Sequence, residues 1–479
     1  MAVLDTSIPV LRFFEVLTKI PHGSGNEKEI SDYLMQFAQE RGCRAVQDEL
    51  YNLLIYVPAS AGYEDHEPVI LQAHMDMVCE KNQDVTHDFL KDPLKLIVED
   101  GWLKAQGTTL GADDGCGVAY MMAILDDPDA KHPPLELLLT VSEETGMQGA
   151  AGFDYSLLTG KRMIGLDAAG ENITVASSAG GLRVDVRREV ELSSAMGAAV
   201  SFRIRGLLGG HSGIFINKER GNSNKLAARI LYRIAQAGIS YGMIAMNGGS
   251  KDNAIPRECD VTLSCKPEQA SDVLEVIHTV TKEIQQELAA SDKDFFTEAE
   301  TADCPQSMIS EDCTDKLVKM LYLMPNGVAA MNMEMKDLVE TSDNVGVIEI
   351  NETGAEIKIS LRSADDSRLD ELRDRILLLA DLFGGQCSQS GRYPGMEYQS
   401  VSAFRDLYAQ IMQEVWHKEL RVFAGHAGGE GGYFAKNIPA FEMVCLGPMI
   451  EDVHCPDEKM ELSSFLQVYN FLKEVLARV

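Results

Sequence analysis

Several short apolar runs in this chain stop at, or lead into, a histidine or a carboxylate. PVILQA (68–73) is followed by His74-Met75-Asp76, and LELLLTV (135–141) by Ser142-Glu143-Glu144. MIGLD (163–167) ends on Asp167, and AFEMVCLGP (440–448) leads through Met449-Ile450-Glu451-Asp452-Val453 to His454. Apolar runs of this length read as buried strands. Open α/β sheets bind ligands beyond the carboxyl ends of their strands. GTTLGADDGCG (107–117) adds Asp113 and Asp114 just before a helix. Gathering that many carboxylates in one place costs several kcal/mol each unless cations compensate, and bound metal is the economical answer.

The texture along the chain predicts a discontinuous α/β domain with a second domain inserted. Residues 1–182 alternate helix-like segments, such as NEKEISDYLMQFAQER (26–41) and GVAYMMAILDD (117–127), with the apolar runs. That alternation argues for a sheet covered on both faces. From residue 183 to 396 the pattern changes. In AEIKISLRS, Ile357, Ile359 and Leu361 alternate with Glu356, Lys358, Ser360 and Arg362, as in a sheet with one face in water. Val273, Ile277, Val280, Ile284 and Leu288 stripe an amphipathic helix. From 397 to 479 the α/β texture returns, with helices in AFRDLYAQIMQEVW and SSFLQVYNFLKEVLARV. The inserted segment of about 200 residues is long for one small sandwich. Its length predicts either two related sub-lobes or one lobe with a dimerisation surface, so a homodimer through this domain is one arrangement it allows.

Composition narrows the function classes. The net charge of −31 repels phosphate backbones and anionic lipid, which argues against nucleic acid and membranes as partners. The ten cysteines form no CxxC, so free thiols in a reducing cytosol are expected. The N-terminal MAVLDTSIPVLRFFEVL lacks the basic stretch of a secretory signal, and no apolar run approaches the roughly 20 residues of a membrane helix. A cytoplasmic location follows as an expectation.

The residue types define the metal chemistry. His74, Asp113, Glu144, Asp167 and His454 make a mixed nitrogen and oxygen donor set without thiolate, suited to zinc and open to manganese or cobalt. Five protein ligands exceed what one catalytic zinc takes, and suit two ions about 3.5–4 Å apart sharing one carboxylate. Asp113, in a Gly-rich loop at a helix start, is a sensible bridge. His74 and Asp76 share a face on an extended segment, so Asp76 can accept the second N–H of a metal-bound His74. Glu143 and Glu144 point in opposite directions, so one can ligate while the other serves as general base. Taken singly, Glu-Glu is most often a solvated face and ADDG a turn. The joint pattern carries the metal reading.

These residues lie in stretches that resemble the co-catalytic dizinc metallopeptidases, the family of glutamate carboxypeptidase, succinyl-diaminopimelate desuccinylase and the carnosinases. The stretches are LQAHMDMV (71–78), HDFLKDPL (87–94), KAQGTTLGADDGCG (104–117), SEETGMQGA (142–150), GGHSG (209–213), NAIPRE (253–258), PNGV (325–328), VETSDNVG (339–346), YPG (393–395) and HAGGEGG (426–432). They span nearly the whole chain and are most similar to the bacterial dipeptidase branch, which accepts Xaa-His among other dipeptides. The resemblance implies a mixed-sheet catalytic domain of zinc-peptidase type with an inserted α+β lid. It implies that His74, Asp113 and Asp167 hold one metal, and Asp113, Glu144 and His454 the other. It further implies that Asp76 orients His74, that Glu143 is the base, and that His211 of the lid stabilises the oxyanion. Asn253 and Arg362 match lid positions that grip the substrate carboxylate. The implied activity is hydrolysis of small peptides by a water that two metals activate. Deacylation of an N-acyl amino acid, or binding without catalysis, are the alternatives. Cys455, directly after His454, departs from the pattern, and a passive neighbour is the expected reading.

Overall fold

The apolar runs carry leucine, valine and isoleucine without helical spacing, and in the computed structural model, which describes residues 2–479, they are strands. The chain divides into two units. The first comprises residues through Ser177, Tyr398–Ala424 and Gly429–Val479, and the second Ser178–Glu397 and Gly425–Gly428.

The first unit is built on a six-stranded mixed sheet in the order Arg44–Gln47, Leu53–Val57, Leu135–Thr140, Val69–His74, Arg162–Gly165, Glu442–Cys445. Val69–His74 runs parallel to both Leu135–Thr140 and Arg162–Gly165, which in turn runs parallel to Glu442–Cys445. Every residue of Val69–His74 and Leu135–Thr140 is buried. On one face, Leu71, Ala73, Leu137 and Leu139 pack with the helices Pro9–Leu17, Ala112–Asp126, Ala403–Trp416 and Leu462–Leu476 in a single core. Tyr120 stacks on Phe465 with ring centroids 4.9 Å apart within it. Parallel strands deliver their carboxyl ends to one edge. His74 is in register with Thr140, and Gln72 with Gly165, so the segments that follow all leave the sheet at one level. A small sheet of Ile450–Glu451, Lys459–Glu461, Trp102–Ala105 and Leu96–Glu99 ties down the segment carrying His454.

The second unit holds an antiparallel sheet of nine strands with one large core and a small separate cluster of Ile216, Ile255 and Val339. The helices Ser223–Gln236, Ala270–Glu287, Glu311–Leu323 and Asp366–Leu382 contribute their apolar sides to that core. In Gly354–Ser363, Ile357, Ile359 and Leu361 are fully buried while Glu356 and Lys358 are partly exposed. Towards the end of the strand the polar face is covered as well, and Ser360 and Arg362 are buried. Residues 425–428 join this unit, which the sequence texture did not indicate. The reason lies in contacts distant in sequence: Ala179 N–H donates to Ala427 O at 2.9 Å, and Ser342 Oγ is 2.7 Å from His426 Nε2. Among the described residues, no helix is long and apolar enough to cross a membrane.

Candidate metal centre

Asp113 stands between two imidazoles. Its Oδ1 is 2.9 Å from His74 Nε2, and its Oδ2 is 3.2 Å from His454 Nε2. The ring of His454 is also 3.0 Å from Glu144 Oε1, and the ring of His74 is 3.9 Å from Asp167 Oδ2. One ligand atom each from His74, Asp113 and Asp167 lie within 4.8 Å of one another, and so do those from Asp113, Glu144 and His454. Folding therefore gathers these five side chains, which span 381 positions of sequence from 74 to 454, into two clusters that share the Asp113 carboxylate. Neither cluster includes a cysteine. The Cys455 thiol turns to the backbone, donating to Asp452 O at 3.0 Å.

Local structure explains the placement. His74 is the last residue of its strand, and its side chain leaves the same sheet face as Gln72. Gly111 has φ +67°, a conformation that disfavours other residues, and it turns the chain into the helix Ala112–Asp126. Asp113 and Asp114 at that helix start are not helical, and the peptide bond between them is cis. Asp114 is fully buried and points inward, accepting from the N–H groups of Gly117 at 3.1 Å and His74 at 3.3 Å.

Asp76, 1% exposed, is a clamp as well as a partner of His74. His74 Nδ1 is 3.0 Å from the backbone O of Asp76 and 3.5 Å from its carboxylate, so the nearer partner is the carbonyl. The Asp76 carboxylate accepts from Ser24 Oγ at 2.7 Å and from the backbone N–H groups of Glu143 at 3.0 Å and Glu144 at 3.3 Å. The side chain thus ties the Glu143-Glu144 pair to Ser24, while the backbone carbonyl of the same residue meets the His74 ring.

The electrostatics of the cluster are those of crowded acids. Burial raises the Glu143 carboxyl to about 7, with Glu144 and Asp113 adding to the rise and His74 opposing it. Burial would raise Asp113 too, but hydrogen bonds from His454 and His74 outweigh it and hold the carboxyl well below the usual range. The same contacts, from Asp113 and then Glu144, push His454 up to about 10. His74 is raised as well, because Asp113 and Asp76 outweigh its burial. Bare carboxylates therefore hold protons on the imidazoles. A divalent cation offers the same carboxylates a stronger partner and leaves the imidazole nitrogens free to ligate, so the residues present fit a metal pair.

The remaining expected residues belong to the second unit. His211 ends the short strand Gly210–His211, which pairs with Ala254–Ile255, and Asn253 immediately precedes that partner strand. Ser212 N–H donates to Asn253 O at 2.8 Å, so the two segments are held together. The buried Nδ1 of His211 has no hydrogen-bond partner. Arg362 donates to the Tyr393 hydroxyl at 3.2 Å while its buried Nε is unpartnered. Burial and then the Arg362 charge lower the pKa of both His211 and His426, the latter to about 3. His426 thus belongs to the His211–Arg362 neighbourhood of this unit.

Sequence reasoning assigned no role to His426, Glu430 or Glu458. Glu430 is buried in the first unit, where its Oε2 accepts from Gln72 Nε2 at 2.7 Å and Thr140 Oγ1 at 2.8 Å. HAGGEGG was a visible signal for the first two residues. For Glu458, set among the charged residues of PDEKMEL, there was none.

A family model described as peptidase family M20/M25/M40 matches residues 70–478. Cytosol non-specific dipeptidase of Escherichia coli (strain K12) is 34% identical over 473 residues, covering 98% of this chain and 97% of the relative. The crystal structure of aminoacylhistidine dipeptidase from Vibrio alginolyticus matches with a TM-score of 0.93 at 33% identity, covering 98% of this chain and 96% of that one. Aminopeptidase PepT from Bacillus cereus ATCC 10987 shares the fold at 14% identity and a TM-score of 0.56, covering 99% of each chain. With the match running from before His74 to beyond His454, the chain belongs to peptidase family M20/M25/M40.

Proposed function

We propose that this protein is a metal-dependent dipeptidase of broad specificity, Xaa-His dipeptides included, working with two divalent ions, zinc foremost. The observation that carries the reading is the Asp113 carboxylate shared between two ligand clusters. His74, Asp113 and Asp167 would hold one ion, and Asp113, Glu144 and His454 the other. When bound, the ions would supply Lewis acidity towards water and the scissile carbonyl.

The chain's own residues do the rest. Asp76 holds the His74 ring and the Glu143-Glu144 backbone in place. Glu143 takes the proton of the attacking water and returns it to the leaving amine. Its carboxyl, raised to about 7, suits a group that must both accept and release a proton near neutrality. His211 has an uncommitted ring nitrogen with which to stabilise the developing oxyanion. Arg362, buried with a free Nε, is a planar fork able to bind a carboxylate, and Asn253, held against the His211 segment, supplies an amide for recognition. Short substrates follow from reading the C-terminal carboxylate in this way.

The named relatives support a cytosolic dipeptidase, and the ten unpaired cysteines suit a reducing compartment. A homodimer through the second unit is supported by its exposed edge strand Gln386–Tyr393 and by Leu378 and Leu382, 62% and 70% exposed on the helix Asp366–Leu382. The test of function is a substrate panel on the zinc-loaded chain. Release of free amino acids from dipeptides is expected. Release of acetate or succinate from N-acyl amino acids, with dipeptides left intact, would overturn the reading.

A further inference from the structure

We infer that Glu458 is the positioning residue that frees the Asp113 carboxylate to face two metals. The inference rests on the two-metal reading above. Glu458 is 2% exposed, although its neighbours in PDEKMEL look like a solvated run. Its Oε2 accepts from the backbone N–H groups of Leu110 at 2.8 Å and Gly111 at 3.1 Å. Its Oε1 accepts from Ala112 N–H at 2.8 Å and stands 3.5 Å from the N–H of Asp113. One carboxylate thus meets a run of consecutive backbone donors from behind the loop.

The consequence concerns what Asp113 would otherwise do. An aspartate at a helix start readily folds its side chain back onto nearby backbone N–H groups. Here the N–H two residues ahead, that of Gly115, is taken by Gly111 O at 3.2 Å, and the loop behind Asp113 is held in place. Glu458 holds Leu110 to Ala112, and Asp114 caps Gly117 from inside. Both oxygens of Asp113 are left to the imidazoles of His74 and His454. Glu458 also lies four residues after His454 and just before the strand Lys459–Glu461, which pairs with Trp102–Ala105. Its grip therefore couples the segment that carries one ligand to the loop that carries the shared one.

A comparable clamp away from the metal residues provides a control. Glu136, 3% exposed, accepts from the backbone N–H groups of Thr159 at 2.9 Å and Gly160 at 3.0 Å and from Thr159 Oγ1 at 2.6 Å. Losing a carboxylate clamp lowers stability at either place. Only at Glu458 is the metal pair affected.

The experiment compares full-length wild type, Glu458→Gln and Glu136→Gln, each loaded with zinc. Zinc retention is read by chelator competition, with kcat and KM on a dipeptide and thermal midpoints of the metal-free chains. Glu458→Gln is expected to lose zinc affinity by roughly tenfold or more, the range seen when groups supporting metal ligands are removed. Its kcat falls, KM stays within about twofold, and added zinc restores kcat. Glu136→Gln melts earlier but retains zinc like wild type. The inference is overturned if Glu458→Gln retains zinc as wild type does, or if both variants lose it equally. Should Glu458→Gln fail to fold, Glu458→Asp, which keeps the charge but shortens the reach, is judged by the same readings. Wild type that takes up no zinc overturns the two-metal reading itself. Wild type that takes up two ions alongside an unaffected variant removes only the role of Glu458.

Discussion

Asp76→Asn tests whether one buried carboxylate organises the catalytic edge of the sheet. The substitution keeps shape and removes charge. Asp76 Oδ1 faces Glu143 N–H, and Oδ2 faces Ser24 Oγ and Glu144 N–H. The amide must present its NH2 to one of these sites. The milder choice places it at Oδ2, where the Ser24 hydroxyl can turn to accept, and sacrifices the Glu144 contact. A hydrogen bond to a charged group contributes about 1.5–3 kcal/mol, so a loss of roughly 2–3 kcal/mol is expected. At roughly 2–4 °C per kcal/mol for a domain of 150–250 residues, the metal-free chain melts about 4–12 °C lower. Affinity for the ion beside Glu144 is expected to fall by roughly 10- to 100-fold as the Glu143-Glu144 pair loosens. The pH dependence has a definite sign. The folded Asp76 carboxyl lies below its unfolded value of 3.8, since hydrogen bonds involving His74 and Ser24 outweigh its burial. Its contribution is therefore present above pH 3.8 and disappears as the pH falls through the folded value, and the gap between wild type and variant closes in acid. Calorimetry across pH and chelator competition measure both effects. A variant that matches wild type in melting and in metal affinity at pH 7 would refute the clamp.

The base predicts its own signature: Glu143→Gln is expected to cut turnover by roughly 10²- to 10⁴-fold while metal content stays unchanged, measured by steady-state kinetics and elemental analysis. Because Glu143 must be ionised to accept a proton, kcat/KM is expected to fall as the pH drops below about 7, with bound cations moving that limb further to acid. Protons and metal compete for His454, which the metal-free acids push up to about 10, so zinc retention by chelator competition weakens steadily as the pH is lowered. Arg362→Met is expected to raise the KM of dipeptides by roughly tenfold or more with a smaller change in kcat, and an unchanged KM removes it from carboxylate recognition.

Much of this architecture could be read from spacing, for a physical reason. Strands buried on both faces must be apolar throughout, so a polar residue at a run's end marks the sheet's edge, as at His74 and after Thr140. Helices with one wet face advertise themselves by period. Val273, Ile277, Val280 and Ile284 are buried on one helix, and Ala403–Trp416 covers the AFRDLYAQIMQEVW segment from end to end. What could not be read depends on contacts distant in sequence. Residues 425–428 join the second unit through hydrogen bonds to Ala179 and Ser342, which no local pattern records. Arg362 continues an alternation that says solvent, yet it is buried by neighbours the strand itself does not encode. Glu458 is buried by donors some 345 positions away, and the charges around it disguise it as surface. The candidate ligand residues stood out because acids and histidines follow the ends of apolar runs or open a helix, as at His74, Asp167 and Asp113. The residues that hold them stay hidden because their partners are backbone N–H groups, which every sequence has.

The proposed dipeptidase depends on a pair of cations sharing the Asp113 carboxylate. Diffraction from zinc-loaded crystals, collected at the zinc absorption edge, tests it most directly. Two anomalous peaks about 3.5–4 Å apart are expected, one against His74 and Asp167, the other against Glu144 and His454, with the Asp113 carboxylate between them. A single peak, or peaks that do not touch Asp113, would contradict it.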